Sequence, residues 1–426
     1  MDNVGLTNES IYVNDIKGHD FVGGIAGINF GTISNSYSSG TVTNTDNDGP
    51  IGQDAVGGLV GANWNDGTVS NISYSSVSVT NTDNSSYGFD VVGGLAGVNW
   101  GGTISDSYSS GDVTNTDNSS MGRYGYGSDL VGGFVGDNDN GGTVSTSFSS
   151  GSVSNTSDSG GDAVGGFVGG NYQSTVSNSY SLDFITNTDN SSIGYDFDDV
   201  GGFVGDNDGT VSETYSAGGV YNTDNALRPD YVGGFVGSED RAVPEFNDPG
   251  GSCTNDYWDT LYNQSLPSAG YAWYTSSTGG PGPVAGVTPR SYSQMYYSSN
   301  FAGFDFSKVW GQVDGYTYPF LQAFETKINF PIFKNSYTLP LAAMPNFMPY
   351  SQFSGLQLTG FGIRDPLHDR IIIINLNKAG QKIAKKISKK GLNWLFKKAG
   401  ANGEEASFLT DIVDALEGLL EFLGSL

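Results

Sequence analysis

At 426 residues and 44.8 kDa the chain has room for two or three ordinary domains, yet it carries 64 Gly against 14 Pro while aromatics reach 13%. Disordered Gly/Ser linkers do not hold so many Tyr, Phe and Trp, so the glycines must serve the geometry of an ordered fold. A net charge of -27 argues against nucleic acid as a partner. The lone Cys253 excludes an internal disulfide framework, and His19 and His368 are too far apart for a local metal motif.

The N-terminus shows neither a basic nor an apolar leader region, and no run of apolar residues is long enough for a membrane-spanning helix. Ser-Ile-Tyr-Val-Asn at 10–14 resembles the second half of the repeat that follows, so the chain is expected to start inside a longer stack. That repeat organises residues 1–240. Val-Gly-Gly recurs at Val22, Val56, Val92, Val131, Val164, Val200 and Val232, with spacings of 34, 36, 39, 33, 36 and 32 residues. The spacing varies in one place, the loop after Asn-Thr-Asp-Asn, which puts the variable loops on one side of a stack.

Within each copy the apolar pattern has a period of two. Ile33, Val69, Ile104, Val144, Val176 and Val211 form one column, and Tyr37, Tyr74, Tyr108, Phe148, Tyr180 and Tyr215 another. No copy can bury its apolar face alone, so copies must stack about 4.8 Å apart with like residues superposed. The column Asn29, Asn63, Asn99, Asn138, Asn171 and Asn207 suits an amide ladder at a turn.

These residues resemble the GLUG repeat, through Val-Gly-Gly-Leu-Val-Gly-Ala-Asn at 56–63 and Thr-Ile-Ser-Asp-Ser-Tyr-Ser-Ser-Gly-Asp-Val at 103–113. That repeat occurs in prokaryotic surface proteins, filamentous-haemagglutinin-like adhesins and the non-catalytic parts of immunoglobulin A peptidases. The resemblance implies an all-β fold, a parallel β-solenoid or β-helix of about seven Gly-rich repeats, and an extracellular display or adhesion role without catalysis. Residues 241–323 resemble the closing region of such proteins, with Asp256-Tyr-Trp-Asp259, Val309-Trp310 and Tyr318-Pro-Phe320, although Cys253 sits further from Tyr257 than that pattern suggests.

Beyond 324 the character changes. Residues 324–375 read as extended or irregular and end in a strand at 370–375. Residues 376–426 read as an amphipathic helical hairpin, basic over 378–399 and acidic over 404–424. Lys382, Lys386, Lys390 and Trp394 of the first helix are candidates for subunit assembly or for contact with an anionic membrane surface.

The most regular polar feature is Asp20, Asp54, Asp90, Asp129, Asp162, Asp198 and Asp230, two residues before each Val-Gly-Gly. In register these carboxylates form a ladder whose repulsion needs compensation. Each Asp is expected to cap its own turn through backbone N–H groups; the competing reading is a Ca²⁺ ladder, although neither an EF-hand nor a Gly-Gly-x-Gly-x-Asp repeat is present. Trp64, Trp100 and Tyr172, each following the Asn column, either stack on sugars or cover a turn. The column Thr32, Thr68, Thr103, Thr143, Thr175 and Thr210 could form a water-ordering hydroxyl face, or be ordinary exposed-strand threonine.

The repeats are too poor in Lys and Arg for a lyase of acidic sugars, and their many acids single out no glycosidase pair. The expectation is a non-enzymatic adhesin or fibre subunit that self-associates or binds a surface glycan or protein. A secreted effector with a membrane-active tail and a carbohydrate-processing β-helix are the alternatives.

Overall fold

The computed structural model describes residues 1–15, 19–47, 54–84, 89–118, 128–158, 161–190, 198–224, 230–239, 250–272, 281–312, 314–315 and 317–324, with the strands Thr326–Lys327, Phe333–Pro340, Gly360–Asp365 and Arg370–Leu376. The chain divides into two compact units, 1–323 and 324–426.

The first unit is a parallel β-solenoid. One of its sheets has seven strands, one from each Val-Gly-Gly copy, running from Phe21–Gly23 to Tyr231–Gly233. Val92 pairs with both Val56 and Val131, and Val164 pairs with Val200, so equivalent residues lie directly over one another as the repeat demands. Two thirteen-stranded sheets complete each coil. One begins at the Asn column, with Val60–Trp64 and Thr68–Ser70 as one coil's contribution. The other holds the longest strands, such as Ser73–Asp83. Strand Gly5–Asp15 pairs in parallel with Tyr37–Asp46, placing Ile11 on Val42 and Asn14 on Thr45, so 10–14 is indeed the second half of a coil.

Two apolar files fill the interior. Val56, Val92, Val131 and Val164 meet Val79, Val113, Val153 and Ile185. Leu59, Leu95, Phe134, Phe167, Phe203 and Phe235 meet the predicted column from Ile33 to Val211. Stacked identical rings add to area burial, with Phe134 to Phe167 at 4.7 Å and Phe203 to Phe235 at 5.1 Å.

The Tyr column also stacks, at 5.0 Å for Tyr37 to Tyr74 and 4.7 Å for Tyr74 to Tyr108, but it lies on the outer face. Its flanking serines point inward instead, because the coil's corner carbonyls need donors. Ser38, Ser109 and Ser149 hydroxyls donate to the carbonyls of Gly58, Gly133 and Gly166. Further along, the closing region covers the Tyr file: Trp310 packs on Tyr180 and Tyr215, and the Tyr215 hydroxyl donates to the Pro319 carbonyl at 2.7 Å. Cys253 takes the place of Val211 one coil on and is buried, which accounts for its offset from Tyr257.

The second unit contains a four-stranded antiparallel sheet in which Arg370–Leu376, the predicted strand, lies between Phe333–Pro340 and Gly360–Asp365. The stretch around 333–340 is thus a paired strand. The two expected helices, with Lys382, Lys386, Lys390 and Trp394, lie outside the described residues.

Candidate functional site

The most elaborate polar construction lies where the long strands turn toward Val-Gly-Gly. Along Tyr37–Asp46 the inward phase runs Val42, Asn44, Asp46, and equivalent residues stack in every following coil. Asn44 donates through Nδ2 to Oδ1 of Asn81 at 2.9 Å, Asn81 to Asn115, Asn115 to Asn155, Asn155 to Asn187 and Asn187 to Asn222, each at 2.9 Å. Each amide's second hydrogen goes to the neighbouring aspartate. Asn44 reaches Oδ2 of Asp54, Asn81 that of Asp90, and Asn115 that of Asp129, all at 2.8 Å.

The other oxygen of each aspartate accepts from the previous coil. The backbone N–H of Asp54 donates to Oδ1 of Asp90 at 2.9 Å, that of Asp90 to Asp129 at 2.7 Å, and that of Asp129 to Asp162 at 2.8 Å. Asp20, Asp162 and Asp198 donate likewise to Asp54, Asp198 and Asp230. Capping is therefore present, but between coils: each carboxylate ties its own coil to the one before it. The amide file beneath it was missed in the sequence, where Asn44 reads as part of a loop-leading Asn-Thr-Asp. Its signal was parity, since Asn44 shares the inward phase of Val42.

A second file of carboxylates faces this ladder. Asp46, Asp83 and Asp117 stack in register. Their oxygens lie within 4.8 Å of the ladder's in the groups Asp46–Asp83–Asp90 and Asp117–Asp129–Asp162, and Asp189–Asp198–Asp230 repeats the arrangement. Up to Glu239 the described residues include no lysine or arginine. Burial, reinforced by neighbouring carboxylates, drives Asp90, Asp129 and Asp198 well above the ordinary range and Asp162 up to about 8. The upward shift favours the protonated form of the ladder carboxyls, and protonation relieves the repulsion expected of a bare ladder. Such oxygen groups are also the donor type that a hard cation takes.

The predicted Asn column is a ladder too. Asn29 to Asn207 are joined Nδ2 to Oδ1 at 2.8 to 2.9 Å. It ends on Glu239, whose Oε2 accepts from Asn207 at 2.9 Å and which burial pushes up to about 8. Trp64 and Trp100 stack on each other at 5.4 Å and pack half-buried over Ala55, Ala62, Val91 and Val98. Tyr172 lies over Gly170 and donates to Oδ2 of Asp206 at 3.0 Å, beside the buried Asp137. The predicted Thr column is in register, Thr32 on Thr68 and Thr103 on Thr143.

The family model for the GLUG motif matches residues 91–114 and 160–186. Each match includes a Val-Gly-Gly strand and the second includes Asp162 of the ladder. Neither the curated proteins nor the solved structures yield a match to the chain.

Proposed function

We propose that this chain, which carries GLUG motifs in a seven-coil solenoid, is a non-catalytic extracellular structural protein, a stiff segment displayed at a cell surface for attachment or assembly. The observation that carries the reading is the in-register stacking of the Val-Gly-Gly strands from coil to coil, locked by two amide ladders and one carboxylate ladder. Such construction resists bending and local opening along one axis, which serves a spacer or scaffold better than a catalyst with moving parts. The acid-rich composition keeps such a segment soluble and self-repelling until a specific contact forms.

On this reading the purified chain self-associates or adheres to a surface glycan or protein. Antibody labelling of intact cells that make the protein tests the location: labelling without permeabilisation is expected, and staining only after lysis would sink the proposal. Loss of attachment on deleting the coils, with growth unchanged, would support adhesion over a purely structural role.

A further inference from the structure

We propose that the outer face of the long-strand sheet is an ice-binding surface, a regular hydroxyl and methyl array that orders water into an ice-like lattice. On either side of the buried Asn ladder each strand turns one residue outward, and these residues form two files. The first is Thr43, Thr80, Thr114, Ser154 and Thr186; the second is Thr45, Thr82, Thr116, Thr156, Thr188 and Thr223. No register shift interrupts either file.

Three independent features set this face apart from ordinary exposed threonine. The chain carries a net charge of -27, yet no charged side chain stands in either file. A charge would hold its own hydration shell against any lattice. The hydroxyls are also free: among the described residues none of these side chains is engaged in a hydrogen bond, whereas the inward serines of the same sheet donate to backbone carbonyls. The face is pre-organised as well, because the Asn ladder between the files links consecutive strands at 2.9 Å and fixes their spacing.

The lattice follows from strand geometry. Rings stacked on this sheet give an axial repeat of 4.7 to 5.0 Å. Residues two apart on a parallel strand are separated by about 6.6 Å. The axial translation lies close to the basal oxygen repeat of hexagonal ice, and the Thr methyls leave shallow grooves between hydroxyls for water. A crystalline polysaccharide would instead call for aromatic platforms, and among the described residues the aromatics along these files are Tyr12 and Tyr221, which stand only at the first and last strands. The Thr32 to Thr210 column is the weaker candidate. It stands on strands as short as three residues, and the Thr68 hydroxyl turns toward the Asp66 carbonyl.

The test is partition of the full chain into slowly growing ice, with inhibition of ice recrystallisation as a second readout. The wild type is expected to enrich in ice and to restrain grain growth. Thr82→Tyr with Thr116→Tyr, at the centre of the array, should abolish both while leaving the melting transition in place, and Thr103→Tyr on the other sheet should leave both intact. If the Tyr pair does not fold, Thr82→Ser with Thr116→Ser removes the methyls alone and should weaken enrichment. Exclusion of the wild type from ice overturns the proposal, as does full enrichment of a folded Tyr or Ser pair. Retention on crystalline chitin or cellulose without enrichment in ice also overturns it and assigns the face to a polysaccharide.

Discussion

Asn115 shows how much one side chain carries in a stacked fold. It accepts from Asn81, donates to Asn155 and holds Oδ2 of Asp129, all in a fully buried position. Replacing it with Val leaves a donor, an acceptor and a carboxylate oxygen without partners at once, so Asn115→Val should cost more than about 3 kcal/mol in urea unfolding. The ladder's first member makes the reciprocal case. Val13 occupies the position above Asn44, and the buried Asn44 Oδ1 has no partner. Val13→Asn supplies the missing donor and should add about 1 kcal/mol, and an unchanged unfolding midpoint would refute this account of the ladder's end. Backbone strain is local in the same way. Each coil turns one corner through a left-handed residue, Asn35 at φ 48° and Asp106 at φ 47°, but the second coil has an extra residue there, so that Asn71 at φ 56° is followed by β-branched Ile72 at φ 58°. Ile72 is largely exposed, so Ile72→Gly should stabilise by roughly 1 kcal/mol, read from the same unfolding curves.

Among the elements, the Val-Gly-Gly strand is the least tolerant. A Cβ built on Gly94 would overlap the carbonyl oxygen of Gly133 in the next coil, and one on Gly58 would overlap both the Gly94 carbonyl and the Ser75 hydroxyl. Gly94→Ala must push two coils apart along the axis, and since the same contact recurs from Gly24 to Gly202 the strain cannot relax sideways. A loss of at least about 3 kcal/mol is expected, with the coils on either side losing amide protection together in hydrogen exchange. This strand was legible in the sequence because its glycines and valines recur at fixed offsets, and the Ile33 to Val211 column was legible for the same reason. The neighbouring Ser-Tyr-Ser strand was not. Hydrophobicity assigns Tyr to the interior, but corner carbonyls need hydroxyl donors, and that demand turns Ser38 and Ser109 inward and leaves Tyr37 and Tyr108 partly exposed. The aspartate ladder was visible as a column, but its partners were not: the bonds run between coils 33 to 39 residues apart, a distance fixed only once the register is known.

For the solenoid as a whole the decisive property is that its buried carboxyls shift one way. Burial raises Asp183 to about 6, Asp256 to about 7, and Asp162 and Glu239 to about 8, while Asp90, Asp129 and Asp198 rise well above their ordinary value. In the unfolded chain all of these groups titrate near 4. Between about pH 4 and pH 8 the folded state therefore binds more protons than the unfolded state, and unfolding releases them. Stability from these groups is fully present below the unfolded values and is lost as pH rises through the folded ones. The melting temperature should fall steadily from pH 5 to pH 8, the reverse of ordinary acid denaturation, with a summed effect on the order of several kcal/mol. A flat or rising profile over that range would mean that the carboxylates are compensated by something other than protons. Calcium is the direct check on that outcome. A cation held by groups such as Asp117–Asp129–Asp162 must displace their protons, so it gains affinity as pH rises. Added Ca²⁺ should then raise the melting temperature at pH 8.5 and leave it unchanged at pH 5, with chelator reversing the gain. Insensitivity at both values would show that the ladder is purely a hydrogen-bonded brace between coils, and that protons alone offset its charge.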